Sequence, residues 1–124
     1  MTELFYEFIF DAAHQFTHKP VGHKYRALHG HSFRAEIAVR GEPQPDTGFI
    51  VDFESLEKAC AQLREKLDHT FLNEIPGLET PSLENISRWI WRKLAPQFPG
   101  LYRITVRRDS LRQGCSYYGE SSNP

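Results

Sequence analysis

The chain has 124 residues, 40% of them hydrophobic and 25% charged, with 15 basic and 16 acidic side chains giving a net charge of −1. That length suits one domain, residues 1–124, and the balanced charge offers no field to recruit nucleic acid or an anionic membrane. Two cysteines make no disulfide framework, no apolar run approaches membrane length and MTELFYEF does not read as a signal peptide, so a cytoplasmic setting is expected.

Residues 3–11 (ELFYEFIFD) are rich in aromatics and mostly alternating, which predicts a strand, and residues 32–40 (SFRAEIAVR) alternate again with Phe33, Ala35, Ile37 and Val39 on one side. The turn-rich GEPQPDTG at 41–48 ends that hairpin. From Asp52, placed as N-cap, the period changes. Phe53, Leu56, Cys60, Leu63 and Leu67 recur at helical spacing, so Cys60 reads as core and not as a nucleophile. A second helix is predicted with Thr80 as N-cap and Pro81 at the first helical position, carrying Leu83, Ile86, Ile90 and Leu94 on one face. Trp89 and Trp91 bracket that stripe and cover either core or a subunit contact. Residues 102–108 and 114–120 complete four strands, with Cys115 in the last, and SSNP at 121–124 reads as a frayed tail. The expectation is an α+β domain in two layers, a four-stranded antiparallel sheet with two helices on one face. Its exposed edges call for homo-oligomerisation into a closed barrel.

Histidines carry the chemistry. In an extended strand His29 and His31 of LHGHSF point to one face, and His14 closes the strand-like run before them. Two imidazoles from one strand and one from its neighbour suit tetrahedral Zn²⁺, with a fourth position left for water or substrate. Asp68-His69 offers a second pair. It is either a carboxylate orienting an imidazole for proton transfer or simply the end of the first helix, where the dipole favours histidine. Lys24, Arg26 and Arg34 lie near the histidines in sequence and are candidates for holding phosphate; Arg107 and Arg108 lie further along.

FDAAH at 10–14, GHK at 22–24, LHGHSF at 28–33, DTGFIVDF at 46–53, LDHTFLN at 67–73, PSLENISRWIW at 81–91 and YYGE at 117–120 together resemble the 6-pyruvoyltetrahydropterin synthase family, and within it the bacterial 6-carboxytetrahydropterin synthases of queuosine biosynthesis. The resemblance implies a tunnelling fold (T-fold) assembled as trimers and then a homohexamer, with active sites between subunits. It implies zinc on His14, His29 and His31, a pterin substrate, 7,8-dihydroneopterin triphosphate, and a lyase reaction leaving 6-carboxy-5,6,7,8-tetrahydropterin. LDHTFLN matches the family's catalytic Asp-His motif, which favours the catalytic role for Asp68 and His69. Diverged alternatives are an enzyme acting on another pterin, by aldol-type cleavage or epimerisation, and a non-catalytic pterin-binding hexamer.

The chain departs from the family pattern at two positions. The synthases carry a cysteine directly after the lysine of GHK, whereas this chain has Tyr25, a weaker acid that can still donate a proton. Counting back from YYGE, the glutamate that takes the pterin's amidine-like edge falls on Asp109, a carboxylate one methylene shorter that keeps the bidentate chemistry. Asp109 is also an ordinary residue for opening the turn before Gly114.

Overall fold

Strict alternation of side chains fixes the two longest elements of the computed structural model, which describes residues 1–120. Strand β1 (Thr2–His14) and strand β2 (His29–Gly41) pair antiparallel from Thr2 opposite Gly41 to His14 opposite His29. Both outrun the stretches read as 3–11 and 32–40, because the histidines continue the same alternation beyond the last large apolar residue. Phe8, Phe10, Ala12 and His14 of β1 and Phe33, Ala35, Ile37 and Val39 of β2 are buried on one face. The rings of Phe10 and Phe33 stack with centroids 4.9 Å apart.

Helix α1 (Phe53–Leu67) starts where Asp52 accepts a hydrogen bond from the Glu54 amide at 2.9 Å, as its N-cap position requires. It buries Leu56, Cys60, Leu63 and Leu67 against the sheet. Burial pushes the Cys60 thiol up to about 12, so it behaves as core. Helix α2 (Leu83–Leu94) begins two residues later than expected. Its N-cap is Ser82, whose hydroxyl accepts from the Asn85 amide at 3.1 Å, while Thr80 and Pro81 stay outside the helix. Ser82 prevails because its oxygen reaches the orphan amide three residues on. The Pro81 carbonyl is consequently left free to serve another partner. Ile86, Ile90 and Leu94 are fully or almost fully buried, and Trp89 is buried with its Nε1 donating to the Pro76 carbonyl at 3.3 Å.

The sheet has five strands, in the order β3-β1-β2-β4-β5, and not four. Strand β4 (Leu101–Arg108) pairs antiparallel with β2, and β5 (Gln113–Tyr117) antiparallel with β4. The additional strand β3 (Thr70–Phe71) runs parallel to β1 beside Ala12 and Ala13, which makes the sheet mixed. Two residues are too few to show a period, so the sequence carried no signal for β3. Because β3 covers only the end of β1, most of β1 and all of β5 form open edges among the described residues.

The face away from the helices is ionic. Glu3, Glu7 and Glu36 interleave there with Arg34, Arg40, Arg103 and Arg107, joined by ion pairs such as Arg103 to Glu36 at 2.7 Å. Among the described residues no helix is long and apolar enough to cross a membrane. The 121–124 tail lies outside the described residues.

Candidate metal centre and its surroundings

The three histidines meet at the end of the β1–β2 ladder, on the helix-covered face. His14 pairs directly with His29, and His31 follows two residues along β2 on the same side. Ring centroids are 4.6 Å (His14 to His29), 4.9 Å (His14 to His31) and 4.8 Å (His29 to His31) apart. Each ring has a buried Nε2 with no hydrogen-bond partner, and one nitrogen from each lies within 4.8 Å of the others. The opposite nitrogens explain the tautomers: His14 Nδ1 donates to the Pro81 carbonyl at 3.1 Å and His29 Nδ1 to the Ala27 carbonyl at 2.8 Å. With Nδ1 carrying the proton, Nε2 presents its lone pair.

Burial, reinforced by the neighbouring imidazoles and the Arg108 guanidinium, lowers His14 and His31 to about 4, so both rings are uncharged at neutral pH. Three convergent imidazoles whose inner nitrogens have no protein acceptor or donor fit a divalent ion such as Zn²⁺ with one open position. Gly30, between two of the ligands, keeps the strands close there, since a Cβ would sit 3.2 Å from the Ala12 carbonyl oxygen.

Tyr25 stands beside this cluster, its ring stacked near His29 with centroids 6.1 Å apart. Its backbone is fixed on both sides, the amide donating to His23 Nδ1 at 3.1 Å and the carbonyl accepting from Phe16 at 2.8 Å. The connecting loop is braced by Arg26, which donates to the carbonyls of Thr17 and Lys19. Arg26 therefore spends its guanidinium on the loop, while the exposed Lys24 lies with its ammonium 5.2 Å from the Tyr25 ring.

Asp68 caps the end of α1 and is tied down from several directions. Its Oδ1 accepts from the Asp11 amide at 2.8 Å and its Oδ2 pairs with Arg64 at 3.1 Å, while His69 Nε2 stands 3.8 Å from that same Oδ2. Asp11 in turn accepts from Ser32. His69 adopts a left-handed backbone (φ 58°), held by its amide donating to the Asp11 carbonyl at 2.6 Å, and its side chain projects outward. An open cleft of about 640 Å³ is lined by His31, Gly30, Asp11, Ser32, His69 and Phe71, so His69 and one member of the histidine cluster share a surface. Asp11, Asp68 and His69 also lie close enough to hold an ion, but their carboxylates are already engaged by Ser32, Arg64 and a backbone amide.

Asp109 is placed elsewhere. It opens a 3-10 turn (Asp109–Leu111) and receives Arg34 in a two-pronged pair at 2.9 and 3.1 Å, which holds its carboxyl below the ordinary range. Arg34 also bonds Glu7, so Asp109 joins the ionic face, across the sheet from the histidines. Arg34 is thereby committed to carboxylates.

Sequence reasoning missed three features: the Pro81 carbonyl, the Asp11–Ser32–Arg64 frame around Asp68, and the separation of Arg107 from Arg108. The last was accessible from alternation, since neighbours on β4 must face opposite ways. Arg107 bonds Glu36 at 3.1 Å on the ionic face, and Arg108 turns toward His14 and His31.

Comparison with known proteins identifies the family. Residues 3–120 match the family described as 6-pyruvoyl tetrahydropterin synthase. The chain belongs to that family. It is 39% identical to a 6-carboxy-5,6,7,8-tetrahydropterin synthase from Synechocystis sp., over 98% of this chain and 96% of the relative. A dihydroneopterin monophosphate aldolase from Pyrococcus furiosus is 34% identical over 90% of this chain and 89% of its own. The fold matches 6-pyruvoyl tetrahydropterin synthase from Caenorhabditis elegans with a TM-score of 0.81 at 22% identity, covering 97% of this chain and 98% of that one.

Proposed function

We propose that this family member is a zinc-dependent lyase that converts 7,8-dihydroneopterin triphosphate and water to 6-carboxy-5,6,7,8-tetrahydropterin, releasing triphosphate and the two outer side-chain carbons as acetaldehyde, the retained carbon being oxidised as the ring is reduced. The observation that carries the reading is the set of three buried, partnerless Nε2 atoms on His14, His29 and His31, in a chain similar along almost its whole length to a synthase of that name. When bound there, zinc supplies Lewis acidity toward the substrate's side-chain hydroxyls.

The chain's own groups supply the rest. His69, with Asp68 at 3.8 Å, faces the cleft shared with His31 and serves to move protons. Tyr25 donates a proton from beside His29. Asp109 takes the edge of the pterin, for which Arg34 has to yield part of its two-pronged grip. Lys24 is the free cation at the rim suited to phosphate; Arg26 serves mainly by holding the loop that carries Tyr25.

Because Asp109 lies across the sheet from the histidines, a substrate touching both is best served by residues from more than one copy. The open edges along β1 and β5 favour the same conclusion, and a homohexamer built as a dimer of trimers is the expected assembly. The test is consumption of dihydroneopterin triphosphate by the purified protein, lost on chelation and restored by zinc.

A second reading, aldol-type cleavage of a dihydroneopterin, is favoured by the aldolase relative and by the phenol of Tyr25 in place of a thiol. A product left at the dihydro level with a hydroxymethyl group and no carboxyl at C6 would identify it.

A further inference from the structure

Arg108 stands apart among the arginines of the sheet. Arg34, Arg40, Arg103 and Arg107, the other arginines of the sheet, each pair with carboxylates on the ionic face. The Arg108 side chain makes no hydrogen bond or ion pair among the described residues, and its Nε is buried without an acceptor. Arg107 lies opposite Arg34 in the β2–β4 ladder, so alternation turns Arg108 to the other face beside Phe33, whose ring lies 5.8 Å from that of His14 and 5.6 Å from that of His31. A buried guanidinium nitrogen without an acceptor is rare unless something outside the chain completes it.

The charges around it sharpen the argument. All three proposed ligands are imidazoles, and no carboxylate stands among them. A divalent ion on them would put two further positive charges next to a guanidinium. Such a centre is matched only by an anion that arrives with its ligand. A guanidinium presents paired N–H groups to two oxygens of one planar or tetrahedral oxyanion, and it keeps its charge at any working pH.

We infer that Arg108 is a binding residue for an oxyanion, a phosphate or a carboxylate, drawn in beside the three-histidine centre and discriminating charged from uncharged ligands there. The inference rests on the proposed metal-dependent reading, and it adds the group that the substrate or product must carry next to the metal.

The test uses intact protein loaded with cobalt(II), whose visible spectrum reports anions near the metal, titrated separately with tripolyphosphate and with acetate. Wild-type protein should bind at least one of them. Arg108→Met should weaken that binding about 10- to 100-fold, the scale of a hydrogen bond to a charged group, and Arg108→Lys should fall between. Metal affinity should be unchanged or tighter in Arg108→Met, because a like charge has left the dication. Dependence seen with tripolyphosphate identifies a phosphate site, and with acetate alone a carboxylate site. Equal anion binding by wild type and Arg108→Met, or loss of metal in step with the anion in both variants, would overturn the inference. Since neither probe contains a pterin, Arg108-dependent binding without pterin turnover would defeat the lyase reading and leave this one standing.

Discussion

His14 and Pro81 are 67 residues apart in the chain, yet the imidazole Nδ1 donates to the proline carbonyl at 3.1 Å. That contact exists because Ser82 caps α2, leaving Pro81 outside the helix ahead of the cap. It fixes the tautomer of a ring that is 1% exposed and sends the other nitrogen toward His29 and His31. The helix start and the candidate ligand set are thus one construction, in which a capping choice decides where a lone pair points.

If the three rings hold a metal, protein purified in the presence of zinc will carry about one ion per chain. His31→Ala should lose most of it while staying folded, since His31 is only partly buried. Chelation of the wild type should lower its thermal midpoint, by an amount equivalent to about 4 kcal/mol at a free zinc concentration a thousand times the dissociation constant. Elemental analysis showing full occupancy in His31→Ala would put the ligands elsewhere.

Tyr25→Phe removes a hydroxyl beside His29 and leaves the ring packing intact. Turnover should fall roughly 10²-fold or more, the usual scale for losing a general acid or base, with zinc content unchanged. Steady-state kinetics with unaltered kcat would take position 25 out of the mechanism.

Glu36 gives a prediction about acid stability. Burial alone would raise its carboxyl, but the hydrogen bonds from Arg103 and Arg107 outweigh that and bring it below the ordinary 4.5. A lowered folded value means stability that is fully present above pH 4.5 and lost as the pH falls through the folded value. Glu36→Gln should therefore destabilise the protein by about 1–3 kcal/mol at neutral pH. The gap to wild type should narrow on acidification. Denaturant titrations with a gap that does not depend on pH would refute the assignment.

Assembly is tested by sedimentation. With most of β1 and all of β5 unpaired along one edge each, micromolar protein should run as a species several times 14.4 kDa. A clean monomer would remove the shared site that unites Asp109 with the histidines.

The sequence disclosed the elements whose signals are local and repeated. Alternation through Phe8, Phe10 and Phe33, the helical spacing of Leu56, Cys60, Leu63 and Leu67, and the His-Gly-His pair were all readable because each residue states its own face. What could not be read depended on competition or on distance. Thr80 and Ser82 are equally good caps in isolation, and the geometry of the Asn85 amide chose between them. β3 exists only because His69 takes a left-handed turn that lays Thr70 against Ala12. The same limit applied to charge. Asp109, Arg34 and Arg26 looked equally available in sequence, but folding commits Asp109 and Arg34 to each other and Arg26 to backbone carbonyls.

The most direct test of the central claim is identification of the product formed when zinc-loaded protein is incubated with 7,8-dihydroneopterin triphosphate. The expected product is a tetrahydropterin bearing a carboxyl group at C6, formed by wild type and not by the His29→Ala, His31→Ala double variant. Recovery of the intact triphosphate, or of a product that keeps the full three-carbon side chain, would contradict it.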